Sequence, residues 1–301
     1  MTASAKPASI AAPPGTGVPT IWLDGKWCDR GTAMISVYDH GLLYGDGVFE
    51  GIRAYGGKIF RLMEHLERLY DSAKAICLTI PLSRDELVAT TEEALRRSGI
   101  QEAYIRHIVT RGVGDLGLDP RKCLRPTLMI IVDTIKLWPE QVYEAGLNVV
   151  TAGTPIPQRE SLSPRVKSLN YLAHILAKLE GINAGADEVI MLDSGGFVAE
   201  GSGQNIFVVK HGRLRTPPPH AGILRGVTRD VVIDLAARAG YSVEESMMNR
   251  YDIYTADEAF LTGTATEIVA MRQLDGRVIG SGKAGPVTRD LRTRFQALVR
   301  T

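Results

Sequence analysis

Between Glu188 and Gly212 the chain has three apolar runs too short for helices: Glu188 to Leu192, Phe197 to Glu200 and Ile206 to Val209. Each is stopped by turn formers, first Asp193-Ser194-Gly195-Gly196, then the loop that follows Glu200, then His211-Gly212. Short apolar runs bounded by Gly, Asp and Ser read as strands. Many short strands with few helices between them imply a closed or nearly closed barrel. Leu147 to Thr151 opens this half as a further strand. A helix patterned on Val231, Val232, Leu235, Ala236 and Ala239 ends at Gly240, and an amphipathic helix from Pro286 to Val299 closes it.

The upstream half mixes hairpins with helices. Asp24-Gly25 supplies the positive φ angles of a tight turn between Thr20–Leu23 and Lys26–Cys28. A second hairpin runs from Val48 to Phe60 around Gly56-Gly57. A helix follows from Leu62 on Leu66, Leu69, Ala73 and Ile76. Another opens at Ser83, with Glu86 placed for a capping box, and stops at Gly99. Ala103 to Arg111 and Pro126 to Thr134 read as strands, and Gly112 to Pro120 as a glycine-rich loop. The stretch from Ile135 to Gly146, with Trp138-Pro139, breaks both periods. The expected partition is therefore 1–19 a leader without structure, 20–134 a small α/β domain, 135–146 an interdomain loop, and 147–301 a second domain. At 301 residues and 45% apolar, the chain is long enough for both cores.

A net charge of +1 gives no electrostatic case for nucleic acid or a membrane surface, and no apolar run approaches a membrane span. The first nineteen residues lack the apolar core of a secretory signal. Cys28, Cys77 and Cys123 are widely spaced and suit a reduced, cytoplasmic setting. The six histidines show no ligand-like spacing, so no metal is expected.

The chemistry-bearing stretch is Arg165-Val166-Lys167-Ser168-Leu169-Asn170-Tyr171. Lys167 leads into an apolar helical pattern (Leu169, Leu172, Ile175, Leu176, Leu179), which would hold its amine near a packed core. Lost hydration favours the neutral, nucleophilic amine, which can form a Schiff base with a carbonyl. A carboxylate such as Glu200 could keep the ring of pyridoxal phosphate an electron sink. Most lysines are solvated, so the local pattern alone leaves a surface lysine open. Other candidates have equally plain alternatives. Phe49, Gly51, Arg53 and Tyr55 share one strand face, which could be half-solvated. Tyr104 and Arg106, two apart on a strand, could make a carboxylate binder or simply belong to a strand with mixed partners. Arg68 lies just off an apolar stripe that its stem could cover. Gly226-Val227-Thr228 starts a helix, as an anion site or with Thr228 a plain N-cap. Gly263-Thr264-Ala265 lets backbone amides approach a ligand, or makes an ordinary turn.

Four of these stretches, taken together and in this order, resemble the class IV, or fold type IV, pyridoxal-phosphate aminotransferases. They are Gly45-Asp46-Gly47-Val48-Phe49-Glu50-Gly51-Ile52-Arg53, Lys167 to Tyr171, Glu200-Gly201 with Asn205, and Gly263-Thr264-Ala265. The branched-chain amino acid aminotransferases are the closest resemblance, from about Ile21 to the C-terminus. It implies an α+β, two-domain fold type IV architecture with a small N-terminal α/β domain and a larger C-terminal pseudo-barrel. It implies pyridoxal 5'-phosphate as cofactor and transamination of L-leucine, isoleucine and valine with 2-oxoglutarate, in a two-stage exchange that yields 2-oxo acids and L-glutamate.

By the same resemblance Lys167 is the catalytic amine and proton carrier, Glu200 meets the pyridine nitrogen and Tyr171 the ring hydroxyl. Arg68, Val227, Thr228 and Thr264 hold the phosphate, and amides of Thr264 and Ala265 also bind the substrate carboxylate. Phe49, Gly51 and Arg53 face the substrate pocket, the glycine leaving room for a side chain. Phe49, Val113 and Leu118 line it for aliphatic groups, while Arg106 with Tyr44 meets the γ-carboxylate of glutamate. The loop 112–120 reaches the neighbouring subunit's site in a homodimer or higher homo-oligomer. Two departures stand out. Gln204 replaces a usual glutamate, which alters the expected charge balance around Arg53, and Lys167 and Tyr171 are four apart where some relatives have one residue more. A D-amino-acid or (R)-amine transaminase, an aminodeoxychorismate lyase on the same fold, and a binder of the cofactor without turnover are the alternatives.

Overall fold

In the computed structural model Asp24 and Gly25 take φ of 47° and 90°, the left-handed pair that a two-residue hairpin turn demands. The structure describes residues 17–135 and 138–301. Most of the expected leader, 1–16, and two residues of the expected interdomain loop, 136–137, lie outside the described residues. Val18 is not loose, since its N–H donates to the Ser98 carbonyl at 3.0 Å.

The first half forms a six-stranded antiparallel sheet in the order β2-β1-β6-β5-β3-β4. Its strands are β1 (Thr20–Leu23), β2 (Lys26–Cys28), β3 (Gly47–Tyr55), β4 (Lys58–Ile59), β5 (Tyr104–Thr110) and β6 (Thr127–Asp133). After the short α1 (His40–Tyr44), two helices supply the core: α2 (Leu62–Ala75) and α3 (Arg84–Ser98). The Ser83/Glu86 capping box forms, and Gly99 ends α3 at φ 65°. Ile52, Leu66, Leu69, Leu87, Ile105, Leu128 and Ile130 pack without solvent contact. Each stabilises the fold by about 1.5–3 kcal/mol through burial.

This core also holds charge and imidazole. Glu50, His65 and His107 are buried beside one another. Thr91 gives its hydroxyl hydrogen to the Leu87 carbonyl at 2.6 Å, so it accepts from His107 Nε2 at 3.0 Å. His107 Nδ1 then has no partner among the described residues. Burial, only partly offset by the Glu50 charge, brings the His107 pKa down to about 4. Between pH 6.5 and 4 the unfolded chain binds a proton that folded His107 refuses, so stability falls as pH falls through that window. Linkage puts the loss from this group at roughly 3 kcal/mol by pH 4. Urea unfolding of His107→Gln against pH should show a shallower acid limb, and an unchanged limb would exclude His107 as its source.

After α4 (Glu140–Ala145), the second half builds a nine-stranded sheet. Its strands are β7 (Leu147–Thr151), β8 (Glu188–Leu192), β9 (Val198–Gly201), β10 (Asn205–Lys210), β11 (Arg213–Thr216), β12 (Ser242–Glu245), β13 (Glu258–Gly263), β14 (Glu267–Leu274) and β15 (Arg277–Val278). They run β12-β11-β10-β13-β14-β7-β8-β9, with β15 on β14. Gly201 N–H donates to the Gln204 carbonyl at 2.7 Å, which turns β9 straight into β10 and curls the sheet towards closure. Helices α5 (Leu172–Asn183), α6 (Val227–Arg238), α7 (Arg250–Tyr254) and α8 (Pro286–Leu298) accompany it. Among the described residues no helix is long and apolar enough to cross a membrane.

Three expectations change. The stretch 135–146 is not wholly irregular, because α4 forms within it. The helix after Lys167 starts at Leu172 rather than Leu169, because the intervening residues pair with β3. Phe49 N–H donates to the Lys167 carbonyl and Leu169 N–H to the Gly47 carbonyl, both at 2.9 Å, and Ser168 bridges Val48. Finally, the apolar stripe of α5 faces outward. Leu172 is 65% exposed, and Ile175, Leu176 and Leu179 are exposed as well. The buried side of α5 is carried by Ala177 and Gly181.

Candidate active site

The pairing of residues 167–169 with β3 fixes where Lys167 goes. Its main-chain N–H donates to Ser72 Oγ at 3.1 Å, and its side chain enters a cavity between the two sheets. There Nζ donates to the Tyr171 hydroxyl at 3.0 Å and lies 4.7 Å from the Phe49 ring centroid. Phe49 and Tyr171 meet edge to face at 5.0 Å. The apolar surroundings expected of this amine thus come from two aromatic rings, not from the α5 stripe.

Glu200 reaches the same cavity from the end of β9, and is buried. Its Oε2 accepts from the Leu224 N–H at 3.0 Å and from Asn205 Nδ2 at 3.2 Å. Its Oε1 makes only a 3.8 Å approach to His174 Nε2. One oxygen is therefore anchored while the other stays available. His174 stacks on Tyr171 at 4.6 Å, so it joins the amine's hydrogen-bond partner to the carboxylate. His174 was not singled out from the sequence, although its place one helical turn after Tyr171 could have suggested it.

At the other end of the cavity α6 begins at Gly226 with no side-chain cap, leaving the first amides, Val227 and Thr228 among them, without a capping acceptor. Thr228 is therefore not the cap but the second helical residue, with its side chain buried. A Cβ on Gly226 would stand 2.1 Å from Asn205 Oδ1, so only glycine lets this helix start sit against the residue that anchors Glu200. Arg68 comes in from α2. It gives Nε and Nη2 to Glu50 at 2.6 and 2.8 Å, and Nη1 to the Arg225 carbonyl at 2.7 Å. The loop Gly263–Thr266 completes the wall with Thr264 and Ala265.

The donor set fits a flat, phosphorylated aromatic aldehyde. An amine and a carboxylate share a cavity with a guanidinium and an open helix start, the arrangement that receives a phosphate. Two buried polar atoms on the cavity wall, His174 Nδ1 and Thr262 Oγ1, have no partner among the described residues. No group of three or more His, Cys, Asp or Glu side chains that could hold a metal occurs among the described residues.

On the substrate side the sequence assignments divide. Tyr104 lines the cavity; Arg106 is not itself on the wall, but donates to the Tyr104 hydroxyl at 3.1 Å and lies 4.6 Å from the Phe49 centroid. Gly51 lines it too, but a Cβ there would meet the Tyr104 hydroxyl at 1.9 Å. The room that glycine leaves is taken by Tyr104 rather than by a ligand. Arg53 turns away into an adjoining cavity, 3.8 Å from both Glu102 and Glu267, and touches the site only through the Ala265 carbonyl at 3.4 Å. Gln204 does not bear on Arg53 at all. Its amide donates to Glu188 at 2.9 Å, a buried carboxylate that also takes Lys178 and Ser202. Tyr44, Val113 and Leu118 are not on this wall. The Tyr44 hydroxyl donates to the Leu116 carbonyl at 2.5 Å, and Val113 and Leu118 are 50% and 80% exposed.

Residues 47–274 match the family described as amino-transferase class IV. The chain is 51% identical over 276 residues to a putative branched-chain-amino-acid aminotransferase of Methanocaldococcus jannaschii, covering 92% of this chain and 95% of the relative. It is 41% identical over 290 residues to the branched-chain-amino-acid aminotransferase of Pseudomonas aeruginosa, covering 93% and 92%. The fold superposes on the Escherichia coli branched-chain amino acid aminotransferase with a TM-score of 0.90 at 34% identity, over 93% of this chain and 94% of the other. The branched-chain amino acid aminotransferase of Thermobaculum terrenum, in its PLP-form (holo-form), gives a TM-score of 0.83 at 31% identity, over 93% of both chains.

Proposed function

The chain belongs to the amino-transferase class IV family, and on that premise we propose that it moves the amino group of L-leucine, isoleucine or valine to 2-oxoglutarate. It is a pyridoxal-phosphate-dependent branched-chain aminotransferase. The observation that carries this reading is the single cavity in which the Lys167 amine, bonded to Tyr171, shares space with the Glu200 carboxylate. Bound pyridoxal phosphate supplies an aldehyde that condenses with amines and a ring that accepts electrons from the amino-acid α-carbon.

The protein does the rest. With the cofactor bound, Lys167 Nζ would take the proton from the substrate α-carbon as base and then return it as acid. Tyr171 orients that amine through its 3.0 Å hydrogen bond. When the cofactor is bound, the available Glu200 oxygen would meet its ring nitrogen, and the α6 start with Arg68 and Thr264 would hold its phosphate. The first substrate leaves as a 2-oxo acid, and a second oxo acid takes up the amino group. Phe49 offers an aromatic wall for aliphatic side chains. Arg106 with Tyr104 offers a charged, two-donor grip on the γ-carboxylate of glutamate.

Tyr44, Val113 and Leu118 serve the site of a second copy in a homodimer. Their position off the cavity wall and the exposure of Leu116 and Leu118 at 67% and 80% support this. The three free cysteines support a cytoplasmic protein. The two separate sheets support a small domain over 20–134 and a larger one over 147–301, joined by 135–146.

Absorbance of the bound cofactor during half-reactions tests the reading. L-leucine, L-isoleucine and L-valine should each discharge the lysine-bound spectrum, and D-leucine should not. A reversed preference, or an unchanged spectrum with every amino acid, overturns it. Arg106→Ala should raise KM for 2-oxoglutarate about ten-fold more than for 2-oxoisocaproate, because only the former loses a charge-assisted hydrogen bond. Equal losses would remove the dual-pocket assignment.

A further inference from the structure

Glu50 is a carboxylate with no solvent contact, on a strand whose flanking residues Phe49 and Gly51 line the active-site cavity. Strand alternation turns it the other way, into the core against α2. There Arg68 Nε and Nη2 reach it side by side at 2.6 and 2.8 Å, and His65 Nδ1, one helical turn earlier on α2, at 2.8 Å. A buried carboxylate costs stability unless it is paired, and this one is paired twice over. Nothing in the exchange of an amino group calls for it. What it contacts is the guanidinium that closes the phosphate end of the cavity.

A guanidinium has five N–H donors in a rigid fork. Two of those of Arg68 go to Glu50, and one goes to the Arg225 carbonyl. Two remain, and the side-on clamp by Glu50 dictates where they point. Without that clamp the arginine could pivot about its flexible stem.

We propose that Glu50, braced by His65, is a positioning residue that fixes the Arg68 fork so that its two remaining N–H groups meet the phosphate of the cofactor. This rests on the reading that the phosphate lies between Arg68 and the start of α6. His65 donates its Nδ1 hydrogen to Glu50, and burial keeps the ring below its ordinary pKa despite the neighbouring carboxylate. The brace is therefore a neutral imidazole, and Glu50 remains ionised because Arg68 and His65 outweigh the upward push of burial. In a glutamine at this place the amide oxygen would accept from Arg68, and the amide nitrogen would turn towards His65. One arginine donor would lose its acceptor, and the fork would be free to swing.

The test titrates the full-length, cofactor-stripped protein with pyridoxal phosphate and with pyridoxal, reading the visible band of the lysine-bound form. Both compounds bond to Lys167, but only the first carries the phosphate. Wild type should prefer pyridoxal phosphate strongly. Glu50→Gln should cut that preference about ten-fold, the value of one charge-assisted hydrogen bond, and leave pyridoxal affinity unchanged. In an Arg68→Lys background, where no fork remains to be oriented, Glu50→Gln should cause no further loss of preference. Glu50→Asp, which keeps the charge, should retain part of the preference and provides the measurement if the glutamine variant does not fold. Equal weakening of both compounds, an unchanged or increased preference, or a full ten-fold effect in the Arg68→Lys background overturns the role of Glu50. A wild-type protein that binds both compounds alike overturns instead the placement of the phosphate.

Discussion

Lys167→Ala should abolish the visible band of the bound cofactor and lower kcat for the leucine half-reaction by about 10³-fold or more, since it removes both the attaching amine and the proton carrier. The fold should survive. The contacts that hold this segment to β3 and α2 use only its own main chain: Phe49 N–H to the Lys167 carbonyl, Leu169 N–H to the Gly47 carbonyl, and the Lys167 N–H to Ser72 Oγ. An alanine keeps all of them. The vacated space lies between Phe49 and Tyr171, so a small primary amine added to the buffer should restore part of the rate by standing where Nζ stood. Turnover of leucine at wild-type speed in the alanine variant would remove Lys167 from the mechanism.

What could be read from the sequence was whatever local chemistry decides. The Asp24-Gly25 turn, the Ser83/Glu86 box and the Gly99 stop depend on neighbours within a few residues, and all form as expected. The motifs around Lys167, Glu200 and Thr264 also converge on one cavity. Side-chain destinations were harder. Alternation along β3 placed Phe49, Gly51 and Arg53 on one face, but the length of an arginine carries Arg53 past the cavity to Glu102 and Glu267. Gln204 read as a missing charge near Arg53, and it is instead spent on Glu188, sixteen residues away in the chain. The six residues of α4 are too few to show a helical period beside Trp138-Pro139.

The outward stripe on α5 makes the same point about packing. Periodicity reports that one face of a helix is apolar and says nothing about what covers it. Leu172, Ile175, Leu176 and Leu179 read as the core that would desolvate Lys167, yet they are exposed within one chain. A pair such as Glu50 and Arg68, eighteen residues apart on different elements, leaves no periodic trace at all. Its only sequence signature is a carboxylate between two cavity-lining residues, with His65 and Arg68 spaced to share a helix face.

The second large effect concerns Glu200. Glu200→Gln should lower kcat by about 10²-fold while the cofactor stays attached to Lys167, because the substitution reverses a polarity without changing a shape. The two donors that fix Oε2, Leu224 N–H and Asn205 Nδ2, would hold the amide oxygen of glutamine in that place. The amide nitrogen would then occupy the position of Oε1 and point a donor into the cavity where a carboxylate had offered an acceptor. A protonated ring nitrogen stabilises the electrons that leave the α-carbon, and it needs an anionic acceptor beside it to keep its proton. The loss should therefore fall on kcat, whereas KM, which on the proposed assignment depends on Arg106, Tyr104 and the Gly263–Thr266 loop, should change little. Asn205→Ala should give a smaller loss of the same kind, by letting Glu200 drift while its charge remains. A Glu200→Gln enzyme within two-fold of wild-type kcat would show that the carboxylate has no part in stabilising that charge.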